Sequence, residues 1–399
     1  MKKILFVLAL CTACMALSCS VSRKKNDAAK FIRDNVNFAA EQYGLLAAKV
    51  EQSKKMVNPK SFIDGKMKYI PPKEWTSGFF PGSLWYLYEL TGNKKWEPLA
   101  VKYTEALDTV QYYTGNHDIG FMIYCSYGNG LRLTGNEAYK GVIVNAAKSL
   151  VTRYVPNAGV IQSWNANAKK DWECPVIIDN MMNLELLFEA TKLSGDSTFA
   201  KIAVSHADHT MQNHYRPDCS TWHVIDYSKT DGSIRHRNTH QGYSDESAWA
   251  RGQSWGLYGY TMCYRETQDK RYLEQAEHIA DFIADHPRYP EDGVPWWDYD
   301  APDIPNTYRD ASAGAILASA LYELSTYSKK RDYKAWADRT LATLGGPGFR
   351  AKVGENGDFL LMHSVGSLPH NSEVDVPLNY ADYYYLEALK RKKDLENPQ

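Results

Sequence analysis

A helix end, a tight turn and a new helix start recur along the chain, and this repeat restricts the fold more than any other feature. LYELTGNKKWEPLA begins at Leu87, and GLRLTGNEAYKGVIVNAAKSL begins at Gly130 with the same Thr-Gly-Asn turn. LFEATKLSGDSTFAKIAVSHA, CYRETQDKRYLEQAEHIADFI and LYELSTYSKKRDYKAWADRTL repeat the theme more loosely. In the first three, Gly suits a helix end, where a left-handed residue is needed, and the small polar residue that follows suits the next helix start. The second helix of each pair is amphipathic: Tyr139, Val142, Ile143, Ala146 and Leu150 share a face, as do Tyr272, Ala276, Ile279 and Ile283. The first helix, as in RGQSWGLYGYTMCY and DASAGAILASALYEL, is small and apolar on most sides, which predicts burial all round.

From about residue 27 to the helix at about 378 the pattern gives roughly twelve helices, or six hairpins. That count fits an all-α fold, an (α/α)6 toroid in a single domain, with inner helices wrapped by outer ones. The joins between hairpins are long and aromatic, as in NAGVIQSWNANAKKDWECP and EDGVPWWDYDAPDIPNTYRD. In a toroid they gather at one end, where a site would form. Short extended pieces such as STWHVIDY are expected to pair there as a hairpin.

The N-terminus reads as a targeting segment. Lys2 and Lys3 precede the apolar run ILFVLALCTACMAL, and Ser18-Cys19 closes it, as at a lipoprotein processing site. The expected organisation is a lipoprotein signal peptide at 1–19, a polar tether at 20–28 and the toroid at 29–395, with a lipid on Cys19 as the sole membrane attachment. The product would be an exported lipoprotein, periplasmic or anchored in the outer membrane; simple secretion is the alternative. Lys plus Arg (46) nearly balance Asp plus Glu (47), which argues against nucleic acid or an anionic membrane face as the main partner. Beyond the leader, Cys125, Cys174, Cys219 and Cys263 are widely spaced among apolar residues and read as buried free thiols.

Three acids stand where inner helices begin: Asp118 in NHDIGFMIYCSYG, Asp179 in CPVIIDNMMNLELLFEA and Asp310 in TYRDASAGAILASALYEL. Each could be a helix N-cap. Asp179 differs, because Val176, Ile177 and Ile178 precede it and Met181 and Met182 follow. Poor hydration there raises a carboxyl pKa, as a general acid requires. Asp118, beside Asn116 and His117, is expected to ionise more easily. Two carboxyls in unlike environments at one mouth point to glycosidic chemistry. Eleven Trp and 28 Tyr supply either a large aromatic core or rings for sugar faces to stack on.

THQGYSDESAWARGQSWGLYGY is the richest stretch, with Gln241, Arg251 and Gln253 between Trp249 and Trp255. The planar fork of Arg251 suits a substrate carboxylate, or else a pairing with Asp245 or Glu246. Gly252-Gln253-Ser254-Trp255-Gly256 matches the serine-hydrolase G-x-S-x-G pattern, yet no buried strand leads into it, so Ser254 is not taken as a nucleophile. The His pairs 206/209 and 236/240 lack a metalloprotease arrangement, and no metal site or cofactor is expected.

At WTSGFFPGSLW, HDIGF, IIDNMMNLELL, WHVIDY, HQGYSDESAWARGQSWGLYGY, DGVPWWDYDAP, RDASAGAI and NYADYYYLEAL the chain resembles the unsaturated glucuronyl hydrolases of glycoside hydrolase family 88. The pieces span nearly the whole mature chain in family order. The resemblance implies removal of a 4,5-unsaturated uronic acid from oligosaccharides left by polysaccharide lyases: chondroitin, hyaluronan or heparin fragments. It implies protonation of carbon 4 of the vinyl ether and addition of water at carbon 5. It also implies that Asp179 is the general acid and base, with Asp118 a second essential carboxylate. His223 and Gln241 would stand near the reacting end, Trp249, Arg251 and Trp255 would line the site, and His117, Trp75 and Trp164 would form its walls. Ser364, Ser367, His370 and Asn371 in the C-terminal loop would meet a sulfate or cap turns. An unsaturated rhamnogalacturonyl hydrolase acting on pectin fragments, a non-catalytic glycan-binding lipoprotein and an inverting glycosidase on the same toroid are the competing readings.

Overall fold

A computed structural model gives the backbone of residues 2–53 and 56–397, with side chains described from residue 26 onward in those ranges. The expected leader and most of the tether therefore lie outside the residues described at side-chain level. Among the described residues no helix is long and apolar enough to cross a membrane.

The hairpins are α2 (Phe79–Thr91) with α3 (Trp96–Glu105), and α4–α5 (Ile119–Ile123 and Asn129–Thr134, joined by a π-helical turn at Tyr124–Gly128) with α6 (Glu137–Val151). They continue with α7 (Leu184–Ser194) and α8 (Ser197–Asn213), α9 (Ala250–Thr267) and α10 (Lys270–Asp285), and α11 (Ala311–Tyr327) and α12 (Tyr333–Leu344). The sixth pair joins the two ends of the chain, since α13 (Asn379–Glu396) packs against α1 (Lys2–Gln52). Counting α4–α5 as one, these are the twelve helices that the repeat predicts. The first member of each pair stands in an inner ring whose order is α2, α4–α5, α7, α9, α11, α13 and back to α2.

Local chemistry accounts for the alternation. Gly92, Gly135 and Gly195 end inner helices with φ of 65°, 67° and 74°, the conformation that glycine reaches without strain. Asn136, Asp196 and Asp269 then cap the outer helices, each side chain accepting a backbone N–H two residues on. Inner helices are buried all round, Ala311–Ser325 of α11 without interruption. Outer helices bury a single stripe, as Ile32, Val36, Ala39, Tyr43, Leu46 and Val50 do on α1.

Because the helices alternate in direction, every outer-to-inner join falls at one end. Those joins are the long ones, and they carry all the strands. β1 (Asn58–Ile63) pairs with β2 (Lys66–Ile70), and β3 (Tyr154–Val155) with β4 (Val160–Ile161). β5 (Cys174–Ile177), β6 (Val224–Tyr227) and β7 (Ile234–Asn238) form an antiparallel sheet, and β8 (Ser364–Ser367) pairs with β9 (Ser372–Val376). The extended piece at WHVIDY thus pairs with β7 as expected, and with β5 besides. Cys125, Cys174 and Cys263 are buried free thiols, whereas Cys219 is only half-buried, at a left-handed turn residue.

Candidate active site

The N-terminal ends of the inner helices converge on one mouth. Two close approaches bring its carboxyls together. A Cβ on Gly120 would stand 2.7 Å from the Asn183 Cα, so only glycine lets the start of α4 abut the 3-10 turn Ile178–Asn183 that opens α7. The Asn183 side chain seals the contact by accepting the Phe121 N–H at 2.9 Å. Ser163 joins the other side: its carbonyl takes the His117 N–H at 3.1 Å, and its hydroxyl takes the Ile177 N–H at 3.0 Å. Asp118 and Asp179 are thereby fixed on adjoining elements.

Asp118 occupies the N-cap position of α4 but makes no capping hydrogen bond. It is 8% exposed and Asp179 is 7% exposed. Burial raises Asp179 to about 6, while Arg251, a backbone N–H and the Trp255 indole pull the other way. Asp118 is also raised well above the usual carboxylate range, first by burial and then by the Asp179 charge. The expectation that Asp118 ionises easily is therefore corrected. Its neighbour His117 stands 3.3 Å away, but burial drives that imidazole down to about 3, so it is neutral and offers no charge. The two acids titrate as a pair.

His223 faces Asp179, with Nε2 3.7 Å from Oδ2. The backbone N–H groups of His240 and Gln241 both donate to His223 Nδ1, each at 3.1 Å. Burial, and then the neighbouring His240 and Arg251, hold His223 well below its ordinary pKa. A neutral ring that accepts at Nδ1 carries its proton on Nε2, the atom aimed at Asp179.

Arg251 lies inside the wall, 1% exposed. It pairs with Asp310 (3.1 Å), and not with either acid expected from the sequence. Asp245 instead accepts the Thr239 N–H, and Glu246 pairs with Arg216. The guanidinium also donates to the carbonyls of Val365 and, at 2.7 Å, Gly366, and it lies over the Trp249 and Tyr380 rings. Its Nε has no protein partner. Asp310 is a true cap, accepting the Ser312 N–H at 3.0 Å. Gln241 donates to the same Gly366 carbonyl at 3.1 Å, so Arg251 and Gln241 together hold β8 against the mouth.

The aromatic residues line up around these groups. Trp249 contacts His223 at 4.6 Å between ring centroids. Trp255 meets Phe121 at 5.2 Å, and Trp75 meets both Phe121 (5.6 Å) and Tyr380 (5.1 Å). Trp164 stacks on Trp172 at 5.4 Å and turns its edge to His223 and His240. All ten expected residues thus fall at one end of the ring. Trp172, His240, Asn180 and Tyr380 join them without having been singled out. Trp172 belongs to an aromatic join that the sequence marks and Tyr380 lies in the first turn of α13, but nothing local separates either from core rings. Ser254 lies inside α9 with its hydroxyl on the Ala313 carbonyl at 3.0 Å. In the C-terminal loop Ser364 is buried, Asn371 closes the hairpin turn at φ 45°, and Ser367 Oγ lies 2.8 Å from His370 Nδ1 at the rim.

The profile of Glycosyl Hydrolase Family 88 matches residues 49–395. An unsaturated glucuronyl hydrolase of Formosa agariphila is 49% identical over 327 residues, 82% of each chain. One from Bacillus sp. strain GL1 is 34% identical over 340 residues, 82% of this chain and 89% of the relative. A crystal structure of an unsaturated glucuronyl hydrolase specific for heparin superposes with a TM-score of 0.88 at 48% identity, covering 92% of this chain and 98% of the other.

Proposed function

The chain belongs to Glycosyl Hydrolase Family 88, and from that premise we propose that it removes the 4,5-unsaturated uronic acid from the non-reducing end of lyase-generated glycosaminoglycan oligosaccharides. It is a glycoside hydrolase; the relatives named unsaturated glucuronyl hydrolase supply the reaction class. Heparin fragments are the first substrates to try, because the heparin-specific neighbour is 48% identical.

The observation that carries the reading is a carboxyl at Asp179 whose pKa burial lifts to about 6, facing the neutral His223 Nε2 at 3.7 Å. A protonated carboxyl can deliver H⁺ to carbon 4 of the vinyl ether while the ring oxygen's electrons stabilise the cation at carbon 5. Water adds at carbon 5 and returns its proton to the Asp179 carboxylate, so H and OH have added across the double bond and the acid is restored. The hemiketal then opens and the glycosidic link falls away. Asp118, raised by burial and then by the Asp179 charge, holds its own proton while Asp179 gives one up. His223 Nε2–H is placed to hydrogen-bond the Asp179 carboxylate once the proton has left. Trp75 and Trp164, which stay partly exposed, offer faces for the sugar rings, Gln241 stands beside them, and the buried Trp249, Trp255, His117 and Arg251 back the wall from behind.

Ultraviolet absorbance of unsaturated disaccharides tests this directly. Loss of the alkene band with the purified protein, absent in Asp179→Asn, is the expected result. An unchanged band across glycosaminoglycan and pectin fragments would overturn the reading and favour a glycan binder. Turnover of pectin fragments alone would favour the rhamnogalacturonyl alternative.

The lipid anchor belongs to the same proposal. Lys2, Lys3, the apolar run and Ser18-Cys19 support lipidation of Cys19 and a periplasmic or outer-membrane location. Cys19→Ser should move the protein from the membrane to the soluble fraction, and no redistribution would rule the anchor out.

A further inference from the structure

We propose that Lys170 is a specificity-determining residue that reads a sulfo group of the substrate at the outer wall of the mouth. The inference rests on the substrate class proposed above and assigns a role to a residue of the 3-10 turn Ala168–Lys170, in the join before β5. A lysine at the end of an exposed turn would ordinarily reach into solvent. Lys170 stays exposed but lies back along the wall, with Nζ 4.5 Å from the Trp172 ring centroid and 2.9 Å from His240 Nδ1.

Its charge is left unneutralised. The acids that follow it in sequence are drawn elsewhere: Asp171 to Arg235 at 2.8 Å, and Glu173 to the same guanidinium at 3.7 Å. No carboxylate of the described residues lies within ion-pairing distance of Lys170. An ammonium has three donors, and His240 engages one of them. The remaining two suit an anion with several acceptor oxygens, for which lysine serves as a point charge.

The position fits the reaction. His240 contacts His223 through its backbone N–H, and His223 faces Asp179. Lys170 therefore lies two imidazoles outward from the reacting carboxyl, where the far edge of the unsaturated ring or the sugar behind it arrives. From the opposite wall the His370 ring approaches His240 to 4.3 Å. His240 is itself neutral, lowered to about 4 by burial and then by Lys170 and His370. Lys170 and His370 thus meet at His240 from two separate joins, and only the Lys170 side brings an uncommitted ammonium.

Binding by calorimetry on the Asp179→Asn background tests the assignment without relying on turnover. The probes are unsaturated disaccharides with no sulfo group, with one on the uronate ring, or with one on the second sugar. Lys170→Gln should weaken one sulfated probe about tenfold relative to the unsulfated one, the loss expected for a charge-assisted hydrogen bond. The affected probe identifies the ring, and Lys170→Arg should restore the preference. Equal loss on all three probes would make Lys170 a strut for Trp172 and overturn the proposal. So would no loss, or no binding of any probe. Failure of the hydrolase reading shows separately, as a persistent alkene band with the wild-type enzyme.

Discussion

The two ends of the ring are built from the same helices and reach opposite electrostatic states. At the mouth, buried polar atoms lack protein partners: Asp179 Oδ2, His223 Nε2, Arg251 Nε, Trp255 Nε1 and the Tyr380 hydroxyl. At the far end a cavity of about 230 Å3 is lined by Tyr86, Arg132, Glu185, Tyr258, Glu387 and Arg391 among others, yet its charges are matched. Glu387 accepts from Tyr86 at 2.9 Å and Tyr258 at 3.1 Å. Arg391 pairs with Glu323 at 2.8 Å, and Arg265 with the same carboxylate at 2.9 Å. Around its two acids the mouth thus gathers donors and acceptors that a ligand could engage. Connectivity explains the asymmetry. Short turns at the far end leave inner-helix side chains to pair with one another, whereas long joins at the mouth bring in walls and leave two acids without a cation between them.

Asp179→Asn should give the largest effect and separate activity from stability. Turnover should fall by about 10³- to 10⁴-fold, while thermal melting shows the fold unchanged or stabilised by about 1 kcal/mol, because a buried ionisable group has been removed. A large loss of stability would mean that Asp179 is structural after all. Arg391→Met at the far end should do the reverse. Breaking that buried network costs about 3–5 kcal/mol in denaturant unfolding, with kcat of the folded protein within about twofold of wild type. A collapse of kcat without unfolding would erase the distinction between the ends.

Asp118→Asn is expected to cost about 10²-fold, at the low end of an acid–base contribution, and to change the pH profile. In the wild type the proton on Asp179 is held below about 6 and lost above it, so kcat/KM should fall as pH rises through that value. Removing Asp118 leaves one carboxyl where there were two, and the falling limb should become a single ionisation step. A pH–rate profile identical to wild type would show that the acids do not titrate together. The smallest effect is expected for Arg251→Lys. It keeps the charge but loses the planar contact with Trp249 and one or more bonds to the β8 carbonyls, raising KM about tenfold with little change in kcat.

Asp310 and Asp118 show where sequence reading stops. Both precede an apolar helix and read alike as caps, but Asp310 caps its helix and holds Arg251, while Asp118 caps nothing. The difference lies in partners distant in sequence: Val365 and Gly366 reach Arg251 across more than a hundred residues. The pairing of Arg251 with Asp310, 59 residues on, had no local signal that could outweigh the nearby Asp245 and Glu246. By contrast, the raised pKa of Asp179 was legible, because its hydrophobic surroundings are its own sequence neighbours.

The sequence by itself determined the helical hairpins, their number, the inner and outer character of each helix and the end at which a site would form. These follow from turn chemistry and apolar periodicity, which act over a few residues. Only the tertiary structure decided which carboxyls remain uncapped, which imidazole is held neutral with its proton toward Asp179, and which cation is spent on the wall. Those outcomes depend on burial and on partners from separate hairpins, and desolvation acts only once the ring has closed.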